Sequence, residues 1–263
     1  MAALFAQFDW LEPFRSEIGQ RIILVGALTN VACALVGCFL VLRRMSLMGD
    51  AIAHAVLPGI VVAFIFSGSM NIVPLFIGAA AVGLLTTFLT QTLHQFGRVP
   101  TDAAMGAVFT SLFALGVVLL KRYLSGIHFD VACVYEGSLT SVALDTIPIA
   151  SGPLAGWEVP RQLSTVLPVV ALNLAAILLL WKELKISAFD AGLATTMGFS
   201  ATAMHYALMA LVAVTSVASF QAVGSILVVA MLIVPPATAQ LLCDRLSRMV
   251  ILACGTKIGR AHV

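Results

Sequence analysis

The sequence predicts an all-α fold, a polytopic transmembrane helical bundle of about seven spans plus a truncated eighth. Of its 263 residues, 61% are hydrophobic and 10% are charged, against roughly 45–50% and 25% in soluble domains. Its mean hydropathy is +1.07. The apolar residues also fall in runs of about 20, the length that crosses a ~30 Å hydrocarbon core as a helix, and the charges gather where those runs end.

The net charge of +2 is small and scattered over span ends, so no nucleic-acid partner is expected, only membrane lipid. Cys33, Cys38, Cys133, Cys243 and Cys254 are odd in number and contain no C-x-x-C pair. They read as small buried hydrophobes, not as a disulfide framework or zinc cluster.

Residues 1–21 read as an interfacial amphipathic helix. Leu4, Phe8, Leu11, Phe14 and Ile18 recur at three- and four-residue steps with Asp9, Glu12, Arg15 and Glu17 between them. The charges follow the apolar residues and no small-residue site closes an apolar core, so a cleavable signal peptide is not expected.

The transmembrane domain is expected over residues 22–256. Span one covers about 22–42, where Asn30, Cys33 and Gly37 share a face suited to another helix. Span two covers 50–66 and span three 72–93, the latter with Gly78 and Gly83 fit for close packing. A polar loop follows over 94–100, and span four, 103–120, ends at Lys121 and Arg122. Residues 123–162 are the least membrane-like, with His128, Asp130, Glu136, Asp145 and Glu158 and three prolines, Pro148, Pro153 and Pro160. They predict a long loop with a partly inserted segment at 131–144. His128 and Asp130 would share one side of an extended strand, and a solvated loop is preferred over a metal entry point.

Span five covers 163–181. Residues 182–198 are charged at first and then form a short helical stretch stopped by Gly198. Span six covers 201–220 and span seven 222–242, where Pro235 and Pro236 would free the carbonyls of Met231 and Leu232 and break the helix. An eighth span starts at Val250 and stops after five apolar residues. Residues 257–263 are expected to be a non-native tail, because the run from Ile258 to Val263 matches one reading frame of a common sequencing adapter. Under the positive-inside rule, Arg43, Arg44, Arg98, Lys182, Lys185, Arg245 and Arg248 outnumber Arg15, Arg21, Lys121, Arg122 and Arg161 on the opposite side, which puts the N-terminus outside.

The chemistry concentrates at the start of span two. Asp50 and His54 project from one helical face about 6 Å apart in rise, so one small cation could touch both. Pro58 has no N–H to give the carbonyl of His54, and such an oxygen is tolerated in a membrane only against protein, water or an ion. Met231 and Pro235, on the interrupted helix, are expected to line the same pathway as Pro58. The alternative is that Asp50 merely caps a helix starting at Ala51 and that His54 packs. A carboxylate and an imidazole per chain, doubled by symmetry, would suit a divalent first-row metal without separating manganese, zinc and iron.

Three separated motifs now stand in order: Asp50-x-x-x-His54-Ala-x-x-Pro58-Gly59, the segment from Lys185 to Gly198, and the run from Val223 to Ala239 with its Gly224 and Pro235. Together they resemble the permease subunit of bacterial ABC importers for zinc, manganese or iron, over nearly the whole chain up to Met249. The resemblance implies a multi-pass protein of the bacterial plasma (inner) membrane that pairs with a second permease copy or a paralogue. It also implies a separate cytoplasmic ABC ATPase and an external metal-binding protein. Asp50 and His54 match the family's acid and histidine on the path. Phe189, Asp190, Ala191, Gly192, Leu193 and Ala194, through to Gly198, match its cytoplasmic coupling helix.

No G-x-x-x-x-G-K-[ST] loop occurs, so the chain is read as a transport permease and not an enzyme, with ATP hydrolysed elsewhere. No permanent cofactor is expected, only the transported metal. An intramembrane metalloenzyme is disfavoured because no glutamate follows His54 in an H-E-x-x-H pattern. Two alternatives remain: an ion-gradient-driven secondary transporter with Asp50 as a proton site, and a siderophore- or vitamin-type ABC permease. A bulky chelate would not require the acid–histidine pair.

Overall fold

The computed structural model describes residues 16–45, 47–68, 72–123, 146–148 and 158–255. The expected interfacial helix lies mostly outside the described residues, as do His128, Asp130, Cys133 and Glu136 of the long loop and the tail at 257–263.

The described elements are α1 (Glu17–Leu42), α2 (Met48–Ala55), α3 (Leu57–Ser67), α4 (Ile72–Gly97) and α5 (Thr101–Tyr123), then strands β1 (Thr146–Pro148) and β2 (Glu158–Pro160). After them come α6 (Leu163–Leu179), α7 (Trp181–Phe189), α8 (Ala191–Thr196), α9 (Ala201–Val223), α10 (Ser225–Leu242) and α11 (Leu246–Gly255). Among the described residues six helical units are long and apolar enough to cross a membrane, α2 and α3 counting as one, and seven if the bent pair α6 and α7 is a span. The all-α expectation holds, apart from a short antiparallel ribbon in which Ile147 pairs with Val159.

Helix α1 is the hub. It packs against α6, α7, α9, α10 and α11, and its residues from Ala32 to Leu40 are all buried. Ser16 starts it, its hydroxyl accepting from the Gly19 amide at 3.2 Å. A second layer is built by α2, α3, α4 and α5, which pack on one another, with α2 and α4 also reaching α9.

Small residues set the closest approaches, as they do wherever membrane helices must pack without a hydrophobic drive between them. A Cβ on Gly59 would collide with the carbonyl of Gly78, and one on Gly78 with that of Gly59, so α3 and α4 meet backbone to backbone. Gly83 makes room for the methyl group of Ala213 on α9, which a Cβ there would approach to 2.9 Å. Polar side chains link other helices. Asn173 on α6 donates to Thr215 Oγ1 on α9 at 2.7 Å and to the Ala32 carbonyl on α1 at 3.3 Å.

The two proline sites behave differently. Pro58 divides span two at Val56, whose carbonyl accepts from both Gly59 (3.0 Å) and Ile60 (3.2 Å). Gly116 of α5 leaves room for the proline ring, since a Cβ there would lie 2.8 Å from Pro58 Cδ. The break expected at Pro235 and Pro236 is corrected: α10 is one continuous helix from Ser225 to Leu242. Its freed Leu232 carbonyl rests on the backbone at Gly37 of α1, where any Cβ would strike it. A neighbouring backbone thus covers the freed carbonyl and keeps it against protein.

Three turns carry special backbone. Gly224 joins α9 to α10 at φ 83°. Arg44, in the turn between α1 and α2, and Arg98, between α4 and α5, adopt φ 57° and 52°, values that non-glycine residues seldom take. The axis turns by 75° between α6 and α7, so the charged start of residues 182–198 leaves the direction of span five at once.

Candidate functional site: an acid–histidine pair and an exposed coupling segment

Helix α2 begins at Met48, and its cap position, Leu47, makes no side-chain capping bond. Asp50 therefore sits inside the first turn and is not the N-cap of a helix starting at Ala51. Its charge still suits the positive helix end.

One turn on, His54 Nε2 lies 3.5 Å from Asp50 Oδ1. The His54 ring is held by two rings of α5, Phe109 at a centroid distance of 6.0 Å and Phe113 edge-on at 6.3 Å. Around the pair, Met48, Gly49, Ala51, Ile52, Ala53 and Ala55 are all buried. The side chains of Asp50 and His54 are 46% and 48% exposed. They form the accessible edge of an otherwise buried helix, where burying a lone acid would be costly.

Among the described residues no group of three or more His, Cys, Asp and Glu could hold a metal ion. One chain brings two protein ligands together at this edge. The other expected pathway residues are placed differently. Pro58 is buried against α5, Met231 is 8% exposed in the main core, and Pro235 is half-buried. Helix α10 does lie beside α2: a Cβ on Gly49 would be 2.8 Å from Leu232 Cδ1.

The second region is α8. Asp190 is its N-cap, Oδ1 accepting from Gly192 N at 2.8 Å and Leu193 N at 3.0 Å. At the other end Gly198, at φ 88°, lets its own amide reach the Thr195 carbonyl and the Phe199 amide reach that of Ala194. This paired closure is the Schellman arrangement, which glycine favours. Ala194 points inward and is fully buried, whereas Phe189, Leu193 and Met197 are 65%, 51% and 57% exposed. Phe189 ends α7, Leu193 lies within α8 and Met197 closes it, so large apolar side chains are exposed on and at both ends of a short, firmly capped helix. Met197 was not among the residues singled out from the sequence, although its spacing from Phe189 and Leu193 carried the signal.

Comparison with known proteins places the whole chain among relatives. The chain is 48% identical over 235 residues to the manganese transport system membrane protein MntD of Bacillus subtilis (strain 168), covering 88% of this chain and 77% of that protein. It is 41% identical over 216 residues to the zinc transport system membrane protein TroD of Treponema pallidum (strain Nichols), covering 82% of this chain and 58% of that one. Among solved structures, PsaBC from Streptococcus pneumoniae in complex with Fab contains a chain that superposes with a TM-score of 0.71 at 33% identity, over 97% of this chain and 82% of that one. The sequence profile described as the ABC 3 transport family matches residues 15–155 and 157–260, and this chain belongs to that family.

Proposed function

We propose that the chain is the membrane-spanning permease subunit of an ATP-driven importer that carries a divalent metal, manganese, zinc or iron, across the bacterial inner membrane. The observation that carries this reading is the Asp50–His54 pair, presented at the only accessible edge of α2. One carboxylate and one imidazole are too few for a metal site, which takes four or more ligands. A second copy of the chain, or a paralogue, facing the same edge supplies the other half. The metal is cargo, held by mixed O and N ligands weakly enough to leave.

Pro58 contributes by interrupting span two after Val56, so that α2 with the pair and α3 can change their relative tilt. Met231 and Pro235 support the pathway from α10. On the proposed cytoplasmic side, α8 and the exposed apolar side chains at its ends dock into a separate ABC ATPase, whose closure tilts the helices and alternates the face to which the pair opens. An external binding protein delivers the metal.

The test is radiotracer uptake of manganese and of zinc in cells expressing the permease with its ATPase and binding protein, beside Asp50→Asn and His54→Ala at matched membrane levels. ATP-dependent uptake of one metal, lost in both variants, is the expected result. Undiminished uptake in both would move the pathway away from α2.

A further inference from the structure

Arg43 occupies a position that stability alone does not account for. It closes α1 at the start of the turn into α2. Its Nη1 lies 3.2 Å from Nδ1 of His205 on α9, and its Nη2 donates to the Ser187 hydroxyl on α7. A guanidinium only donates, so His205 Nδ1 is the acceptor and the ring proton resides on Nε2.

Neither partner is a carboxylate, and the ion pairs found among the described residues do not involve Arg43. Its Nε is buried with no partner. Burial pulls its pKa below the ordinary arginine value. A cation held by neutral acceptors in a partly dehydrated place costs stability that an apolar residue would not. Departures of this kind from local rules are expected where a residue serves function.

The three positions explain what that service is. Ser187 precedes Asp190, the cap of α8, and His205 stands in the first turns of α9, just after α8. One guanidinium therefore grips both flanks of α8. A second contact, Phe39 of α1 against Trp181 edge-on at 6.1 Å, anchors the far end of α7 to α1. Backbone bonds tie Arg43 to the start of α2: Arg43 N bonds the Phe39 carbonyl (3.1 Å), Arg44 N that of Val41 (3.0 Å), Met45 N that of Leu40 (3.1 Å) and Met48 N that of Met45 (3.0 Å). What displaces Arg43 displaces the first turn of α2, where Asp50 sits.

We propose that Arg43 is a positioning residue that transmits movement of α8 to the Asp50–His54 pair, so that ATPase closure and reorientation of the metal ligands are one motion. The proposal rests on the permease reading above. A loss of this link would leave hydrolysis running without transport, which a purely structural role would not do.

The experiment uses vesicles containing the permease with its ATPase subunit and supplied with the external binding protein, Mn²⁺, Zn²⁺ and Fe²⁺ in turn as probe, and both imported metal and released phosphate measured in the same sample. Arg43→Gln is expected to hydrolyse ATP within about twofold of the parent while metal moved per ATP falls about tenfold. His205→Leu should lower the same ratio, and His205→Gln, which keeps an acceptor, should restore it to within about twofold. A parent-like ratio in both Arg43→Gln and His205→Leu, or a parallel fall of import and hydrolysis, would overturn the proposal. Should Arg43→Gln fail to assemble, His205→Leu decides on the same two outcomes. Parent vesicles that import no metal would instead remove the permease reading, and this proposal with it.

Discussion

The carbonyl of Leu232 on α10 rests against the backbone of Gly37 on α1, in the place where any side chain at residue 37 would have to begin. That contact joins the proline-bearing helix to the hub of the bundle. Gly37→Val must push α10 away and uncover a carbonyl that Pro236 cannot serve. The expected loss is about 1–3 kcal/mol, read as a lower Tm of the purified protein in detergent, with Ala34→Gly as a control that leaves this contact in place. An unchanged Tm would mean that the two helices adjust freely at this point.

Metal stoichiometry follows from the half-exposed pair on α2. If two copies complete one site, Mn²⁺ binding saturates at one ion per two chains, and the bound ion gives an electron paramagnetic resonance spectrum distinct from the hydrated ion. Asp50→Asn in both copies should weaken binding roughly 100-fold or more, since even outer-shell partners of metal ligands account for 10–100-fold. One ion per chain would contradict the shared site.

Removing the cap of α8 should loosen the helix without touching the membrane spans. Asp190→Ala deprives Gly192 N and Leu193 N of their acceptor and costs about 1 kcal/mol. Faster hydrogen exchange at those two amides, restored by Asp190→Ser, is the expected pattern. Exchange in α9 should not change.

The exposed apolar side chains on and beside α8 give a binding prediction. Leu193→Asp places a charge among Phe189, Leu193 and Met197 and should weaken co-purification of the ATPase subunit by at least about 2 kcal/mol, the scale of an interface hot spot. The fold of the permease alone should be unaffected, because Leu193 is already half in solvent.

The spans were legible because each is a long apolar run bounded by charge, and Asp50 and His54 because one helical turn joins them. The short helix before Gly198 was visible from its glycine stop, whereas its start at the Asp190 cap was not read from the chain. What escaped the sequence depends on distant partners. Arg43 meets residues 144 and 162 positions away, and nothing near Arg43 signals Ser187 or His205. The Pro235–Pro236 pair was read as a break because the chain alone cannot reveal that Gly37 will cover the freed carbonyl. Met231 and Pro58 are inward-facing for the same reason: which face of a uniformly apolar helix turns to its neighbours is set by those neighbours.

Arg44 and Arg98 hold left-handed backbone that glycine would take without strain, at roughly 1 kcal/mol or more each. Both also belong to the set of basic residues that the positive-inside rule, applied to the sequence, assigns to the cytoplasmic side. Replacing either with glycine would relax the finished protein while weakening the instruction read during insertion. With that sidedness, these two corners would trade comfort in the folded chain for correct delivery into the bilayer.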